Sequence, residues 1–129
     1  MSAITTHVLD AVLGKPAAGI YVRLEGQEGG GWNEVSTRDE KADREYDIPS
    51  TWVTLSVSAT DADGRCRDLA QDAAAGTYRL TFFAGPYLKA KGRSTIYPEI
   101  SITFVCDGKQ HYHLPLLLSD NSYTTYRGS

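Results

Sequence analysis

Apolar and polar residues alternate along most of this chain. The stretches ITTHVLDAV, GIYVRLEG, TWVTLSVSAT, TYRLTFF, EISITFV and HYHLPLLLS are short, rich in Val, Ile, Thr, Tyr, Phe and Leu, and bounded by Gly, Pro, Asp and Asn. A period of two residues sends successive side chains to opposite faces, so each stretch predicts a β-strand. Turn chemistry sits between them: Gly14-Lys15-Pro16 after the first, Asp61-Ala62-Asp63-Gly64 after the third, and Asp107-Gly108, read as a tight hairpin joining the last two. Strands at this spacing predict a sandwich or a barrel. One stretch departs from the pattern. RCRDLAQDAAAG carries Leu, Gln and a run of Ala ending at Gly76, which predicts a short helix with a glycine just past its end. The class is mostly β with one short helix.

The alternation stops between Glu25 and Pro49, where GQEGGGWNEVSTRDEKADREYDIP turns from glycine-rich to densely charged. Such a composition offers little to a core. It predicts a long solvated loop or protruding hairpin, a surface insertion at about 27–48 within a single domain spanning 1–129.

With 129 residues and 41% hydrophobic content, the chain is long enough for one core that buries roughly two-thirds of the surface its unfolded form exposes. Cys66 and Cys106 stand far apart, without CxxC spacing and with no secretory leader ahead of the first strand, which reads as reduced thiols in a cytoplasmic protein. A net charge of −3 with both signs interspersed lacks the basic stripe that a phosphate backbone requires, which argues against nucleic acid as a partner. The longest apolar run falls far short of a bilayer span.

Histidine is the side chain best suited to proton transfer near neutrality, and the chain has 3: His7, His111 and His113, all in predicted strands. In the last long strand, alternation places His111 and His113 on one face with Pro115 and Leu117, and Tyr112 and Leu114 on the other. With Tyr112 and Leu114 packed inward, the histidines occupy the outer face of the sheet. That face is wet near the histidines and, further along, apolar enough to be covered by another subunit. By spacing alone, a His-x-His pair is more often a solvated or hydrogen-bonded surface pair than a catalytic or metal site. No Cys or carboxylate stands at a spacing that would complete a zinc shell.

Arg65 follows the Asp-Gly turn in TDADGRC, where a rigid backbone can aim its guanidinium into a pocket. The planar fork grips carbonyl or carboxylate groups with two parallel hydrogen bonds, as Lys cannot. The plain alternative is a surface arginine after a turn. Tyr126 and Arg127 belong to a tail of Tyr, Thr and Arg ending at Ser129. Tails fray unless tied down, and this composition predicts a strand docked onto something polar.

Taken together, THVLD with GKPA close behind, DGR ahead of the expected helix, YPEI leading a strand, and HYHLPLLLS, with YRGS as the last four residues, resemble the 5-hydroxyisourate hydrolases, the transthyretin-like enzymes of urate breakdown. The motifs occur in order over nearly the whole chain, and the YRGS ending is one that hormone-carrying transthyretins lack. There are two departures. Trp52 rather than Trp32 stands at the family's spacing ahead of DGR, which marks the segment before Thr51 as inserted. The tail reads DNSYTTYRGS where the family has a Tyr-Gly or Phe-Gly pair with Ser-Thr-Tyr.

The resemblance implies a two-sheet transthyretin-like β-sandwich whose sheets extend in a dimer that pairs again into a homotetramer. It implies a hydrolase that opens the six-membered ring of 5-hydroxyisourate, giving 2-oxo-4-hydroxy-4-carboxy-5-ureidoimidazoline, with no cofactor and no metal. The family's catalytic residues map onto His7, Arg65 and His113, and its substrate-binding residues onto His7, Arg65, Tyr126 and Ser129, with His111 and Arg127 nearby. In that reading Arg65 holds the flat, carbonyl-rich ring and stabilises charge on oxygen. His7 or His113 deprotonates water, the other serves the leaving nitrogen, and Tyr126 donates a hydrogen bond. No G-x-S-x-G elbow is present, which favours direct attack by water. Two other classes compete: a transthyretin-type carrier of small aromatic ligands, and a plain structural sandwich whose histidines are merely solvated.

Overall fold

The computed structural model describes residues 1–28 and 51–129. Among these residues nine strands and one helix run in the order β1 (Ser2–Asp10), β2 (Lys15–Pro16), β3 (Tyr21–Glu28), β4 (Thr51–Ala59), β5 (Arg65–Ala73), β6 (Gly76–Phe82), α1 (Ala84–Ala90), β7 (Ile100–Cys106), β8 (Tyr112–Leu118) and β9 (Tyr123–Thr125). They form two sheets. One is ordered β2-β1-β8-β9, with β5 also paired to β1; the other is ordered β4-β3-β6-β7. The mostly β class and the sandwich expected from the pattern are present among the described residues, with one short helix at a different place from the one expected.

Alternation does the sorting. Along β1 every even-numbered residue is buried while the odd ones, Thr5 and His7 among them, face outward and are half-buried. Ile4 and Val8 of β1 meet Val22 and Leu24 of β3, Leu80 and Phe82 of β6, and Leu114, Leu116 and Leu118 of β8 in one core. Two thin layers of strands stabilise each other only by burying these inner faces together. The step that matters for the site is parallel pairing of β1 with β8, in the register Thr5↔His113 and His7↔Pro115.

Three expectations are corrected. Arg65–Ala73 is a strand, antiparallel to β1, and the helix is Ala84–Ala90 instead. In β5 the inward residues are Cys66, Leu69 and Ala73, because the pairing with β1 slips between Ile4 and Thr6 and again between Ser2 and Ile4. Those irregularities turn a period of two into a spacing that imitates a helix face. The true helix, AGPYLKA, carries a Gly and a Pro in its first turn, yet packs Ala84, Tyr87 and Leu88 inward. Asp107-Gly108 is not a hairpin: β7 and β8 lie in different sheets, and this turn crosses between them. Gly108 has φ of 78°, and a Cβ there would stand 2.7 Å from the Ala75 amide nitrogen. Finally, His111 precedes β8 by one residue rather than lying within it.

The insertion expected at about 27–48 lies outside the described residues from position 29 onward; Gln27 and Glu28 continue β3, paired with Trp52 and Thr51. Trp32 also lies outside them.

Candidate active site

The outer face of the five-stranded sheet carries a concave site of about 630 Å³. Its walls bring together His7 from β1, Arg65 from β5, His113 from β8, and Tyr126 and Ser129 from the tail. These are the residues named as candidates from the sequence, and they come from segments up to 122 positions apart (7 to 129). His111 also lines the site.

Each is placed by local structure. Antiparallel pairing of β1 with β5 sets His7 directly opposite Arg65. The turn before Arg65 is stitched to the same strand, with the Val8 amide donating to the Gly64 carbonyl at 2.7 Å. Gly64 has φ of 76°, and a Cβ there would sit 2.4 Å from the Val8 carbonyl oxygen, so only glycine fits. Asp61 closes the turn: its Oδ1 accepts from the amides of Asp63 and Arg65 at 2.9 and 3.0 Å, and its Oδ2 accepts from Arg67 Nη1 at 2.8 Å. The guanidinium of Arg65 thus projects from a fixed base.

His113 is held from the other side. Its ring lies 6.5 Å from that of His7 and 6.3 Å from that of His111, centroid to centroid. Its Nδ1 is 2.7 Å from Thr5 Oγ1, and the same hydroxyl is 2.9 Å from His111 Nε2. The tail is tied down as its composition suggested. β9 pairs with β8, and the Gly128 amide donates to the His113 carbonyl at 2.7 Å. Arg127 turns away from the cavity: its guanidinium lies 4.2 Å over the Tyr112 ring and donates to the His111 carbonyl at 3.2 Å, latching Tyr126 and Ser129 at the rim.

Burial, and then the Arg65 cation, hold the His7 imidazole below its ordinary 6.5, with hydrogen bonding to the Asp63 backbone working the other way. His113 is lowered likewise, by burial first and then by Arg65, His111 and His7. Two imidazoles kept neutral at neutral pH, 6.5 Å apart and sharing a cavity with a guanidinium, can accept protons beside a group that binds oxygen anions. Among the described residues no group of three or more His, Cys, Asp or Glu is arranged to hold a metal ion. Cys66 and Cys106 are free and buried, and burial pushes the Cys66 thiol up to about 11, so it is inert as a nucleophile at neutral pH.

The sequence reading did not single out Thr5, Thr6, Arg67 or Gly128, all lining the cavity. Thr5 shares the outward face of β1 with His7, a signal visible in TTH, but only the long-range register with β8 shows that it meets His113.

Fold and site together define a transthyretin-like sandwich with a histidine and arginine cavity on one outer sheet face. The HIUase/Transthyretin family model matches residues 4–128, and the chain belongs to this family. It is 42% identical over 135 residues to the 5-hydroxyisourate hydrolase of Caulobacter vibrioides, with both chains covered completely. Its structure is similar to that of Klebsiella pneumoniae 5-hydroxyisourate hydrolase, with a TM-score of 0.73 and 33% identity over 100% of this chain and 94% of that one. It is also similar to transthyretin from Sparus aurata, with a TM-score of 0.79 and 25% identity over 98% and 96% of the two chains.

Proposed function

We propose that this chain is a 5-hydroxyisourate hydrolase acting in urate degradation. The observation that carries the reading is the convergence of His7, Arg65 and His113 on one cavity, in a chain 42% identical over its full length to a hydrolase of that name. The substrate is a flat ring system rich in carbonyl groups. Water adds to a carbonyl carbon of the six-membered ring, the adjacent C–N bond breaks, the nitrogen takes one proton of the water, and the other proton leaves as the new carboxylic acid ionises. Arg65 binds the ring oxygen on which negative charge grows. One of His7 and His113 removes a proton from the attacking water and the other serves the leaving nitrogen, both starting neutral. Tyr126 and Ser129 at the rim offer hydroxyls to the substrate's polar edge.

The likeness to a transthyretin in overall fold supports a second reading, a non-catalytic carrier of small aromatic ligands. One assay separates the two. The protein is mixed with freshly generated 5-hydroxyisourate and ultraviolet absorbance is followed; a hydrolase accelerates the decay, whereas a carrier leaves its rate unchanged.

The proposal extends to assembly, organisation and place. The cavity lies on an outer sheet face, and Val105 of β7 and Tyr123 of β9, on the edge strands of the two sheets, are exposed. A homotetramer that extends the sheets would cover them, and light scattering at micromolar concentration should return four times the 14.1 kDa chain mass. The chain forms one domain with the segment at 27–48 as an insertion. Replacing residues 29–48 by a short turn should preserve activity, because β3 and β4 belong to the sheet that does not carry the cavity. No helix among the described residues is long and apolar enough to cross a membrane. We place the protein in the cytoplasm, where its buried thiols stay reduced.

A further inference from the structure

Thr5 presents a single hydroxyl to two imidazoles. Its Oγ1 is 2.7 Å from His113 Nδ1 and 2.9 Å from His111 Nε2. A hydroxyl has one proton to donate, so it can donate to one ring only and must accept from the other. The tautomers of His111 and His113 are therefore locked to each other: when His113 carries its proton on Nδ1, His111 has a bare Nε2, and the reverse. The two rings also differ in exposure. His113 is half-buried at the cavity wall, while His111 is exposed to water.

We propose that Thr5 is a positioning residue that couples His113 to His111, so that a proton taken up by His113 inside the cavity leaves through His111. This deepens the hydrolase reading and rests on it. His113 starts with its proton on Nδ1 and a bare Nε2, and takes a proton at Nε2. The Nδ1 proton passes to Thr5 Oγ1 as the hydroxyl's own proton passes to His111 Nε2. His111, now doubly protonated, releases its Nδ1 proton to water. One proton enters and one leaves; only N–H and O–H bonds change, and both rings end in the other tautomer, which proton exchange with water resets between turnovers. Of the two protons of the attacking water one ends on the leaving nitrogen, and the relay gives the other, lost as the new carboxylic acid ionises, a route to solvent.

The surroundings set the direction. The charged and titratable groups facing His113 are His7 from β1, Arg65 and Arg67 from β5, and Tyr126 from the tail. Positive charge on Arg65 opposes a lasting proton on His113. The relay carries that charge outward to an exposed ring.

Three variants and two readouts test it. Thr5→Val keeps the shape and deletes the hydroxyl, Thr5→Ser restores it, and His111→Gln removes the far end. In dilute buffer Thr5→Val and His111→Gln should lose kcat by roughly tenfold or more, the scale of a proton-transfer defect, and added imidazole buffer should restore it. Thr5→Ser should stay within about twofold of wild type. Independently of turnover, 15N shifts of labelled histidine should show complementary tautomers for His111 and His113 in wild type and Thr5→Ser, and lose that complementarity in Thr5→Val. Full kcat in Thr5→Val, or a loss that neither Ser nor buffer repairs, would overturn the relay and leave Thr5 a packing residue. If wild type fails to speed 5-hydroxyisourate decay, the hydrolase reading falls instead. The tautomers then still decide the coupling: complementary tautomers support it, and independent ones remove it.

Discussion

Gly128 touches His113 twice: its amide donates to the His113 carbonyl at 2.7 Å, and a Cβ at Gly128 would stand 2.9 Å from His113 Cδ2. The tail thus runs against the back of the imidazole with no room for a side chain. That ring cannot swing freely away, because Thr5 holds its Nδ1. Gly128→Ala should therefore push either the tail or the ring out of place while leaving the core untouched. Misplacement by about an ångström can cost on the order of a hundredfold. We expect kcat/KM for 5-hydroxyisourate to fall at least tenfold, roughly, with a melting temperature within a few degrees of wild type. A variant with full activity would mean that the tail does not set the position of His113.

Arg65 tests whether geometry or mere charge matters. An ammonium in its place keeps the charge and loses the planar fork, so Arg65→Lys should fail nearly as badly as Arg65→Ala. Loss of one preorganised donor to a developing oxyanion costs about 3 kcal/mol, roughly a hundredfold in rate. The loss should appear in kcat as well as in KM, since the interaction strengthens as charge builds. Turnover at the wild-type level in Arg65→Lys would reduce the residue to a diffuse positive charge.

The pH profile follows from the two histidines. Both are lowered from 6.5, by burial first and by Arg65 next. The free enzyme should hold them neutral through pH 7 and above, so kcat/KM should be flat there and fall only on the acid side of 6.5. Stability carries the same sign. The unfolded chain binds these protons more readily than the folded one, so folding weakens as pH drops from 6.5 towards the lowered values. In Arg65→Gln, NMR titration should find both histidines shifted up towards 6.5; unchanged titrations would show that Arg65 does not set them.

How much of this was legible in the sequence differs by element, for physical reasons. β1 announces itself because its inner face alternates without interruption, and β3 and β8 keep the same period apart from the buried Glu25 and Pro115, so the core they form follows from it. β5 hid behind its irregular pairing with β1, which spaces Cys66, Leu69 and Ala73 like a helix. The false hairpin at Asp107-Gly108 arose because a turn signal states that the chain reverses, not which sheet it enters. The same limit applies to the site. Residue types picked out His7, Arg65 and His113, but what makes them neighbours is the pairing of β1 with both β5 and β8, and no local pattern encodes it. The family resemblance supplied that information ahead of the structure.

Among the described residues, the most deeply buried ion pair lies away from the cavity and bears on stability. Asp10, at the end of β1, is fully buried and takes two hydrogen bonds from Arg93, at 2.6 and 3.2 Å, and one from the Tyr87 hydroxyl at 2.8 Å. Arg93 also reaches Asp120 at 2.7 Å, so one guanidinium joins β1, the segment after α1 and the turn before β9. Burial alone would raise the Asp10 carboxyl; Arg93, the Leu13 amide and Tyr87 more than offset it and hold it at about 2. For a carboxylate lowered in the folded state, the contribution is complete above the ordinary 3.8 and is lost as pH falls from there to about 2. Asp10→Asn removes the charge and leaves the partly buried Arg93, still paired with Asp120, beside an amide that cannot accept its two donors equally. Breaking such a pair costs on the order of 3 kcal/mol, which at this chain length lowers the melting temperature by roughly 10 °C. Urea unfolding of wild type and Asp10→Asn at pH 7 and at pH 3 should show a gap that is wide at pH 7 and narrower at pH 3. A gap of equal width at both would assign the loss to packing around the side chain and not to its charge.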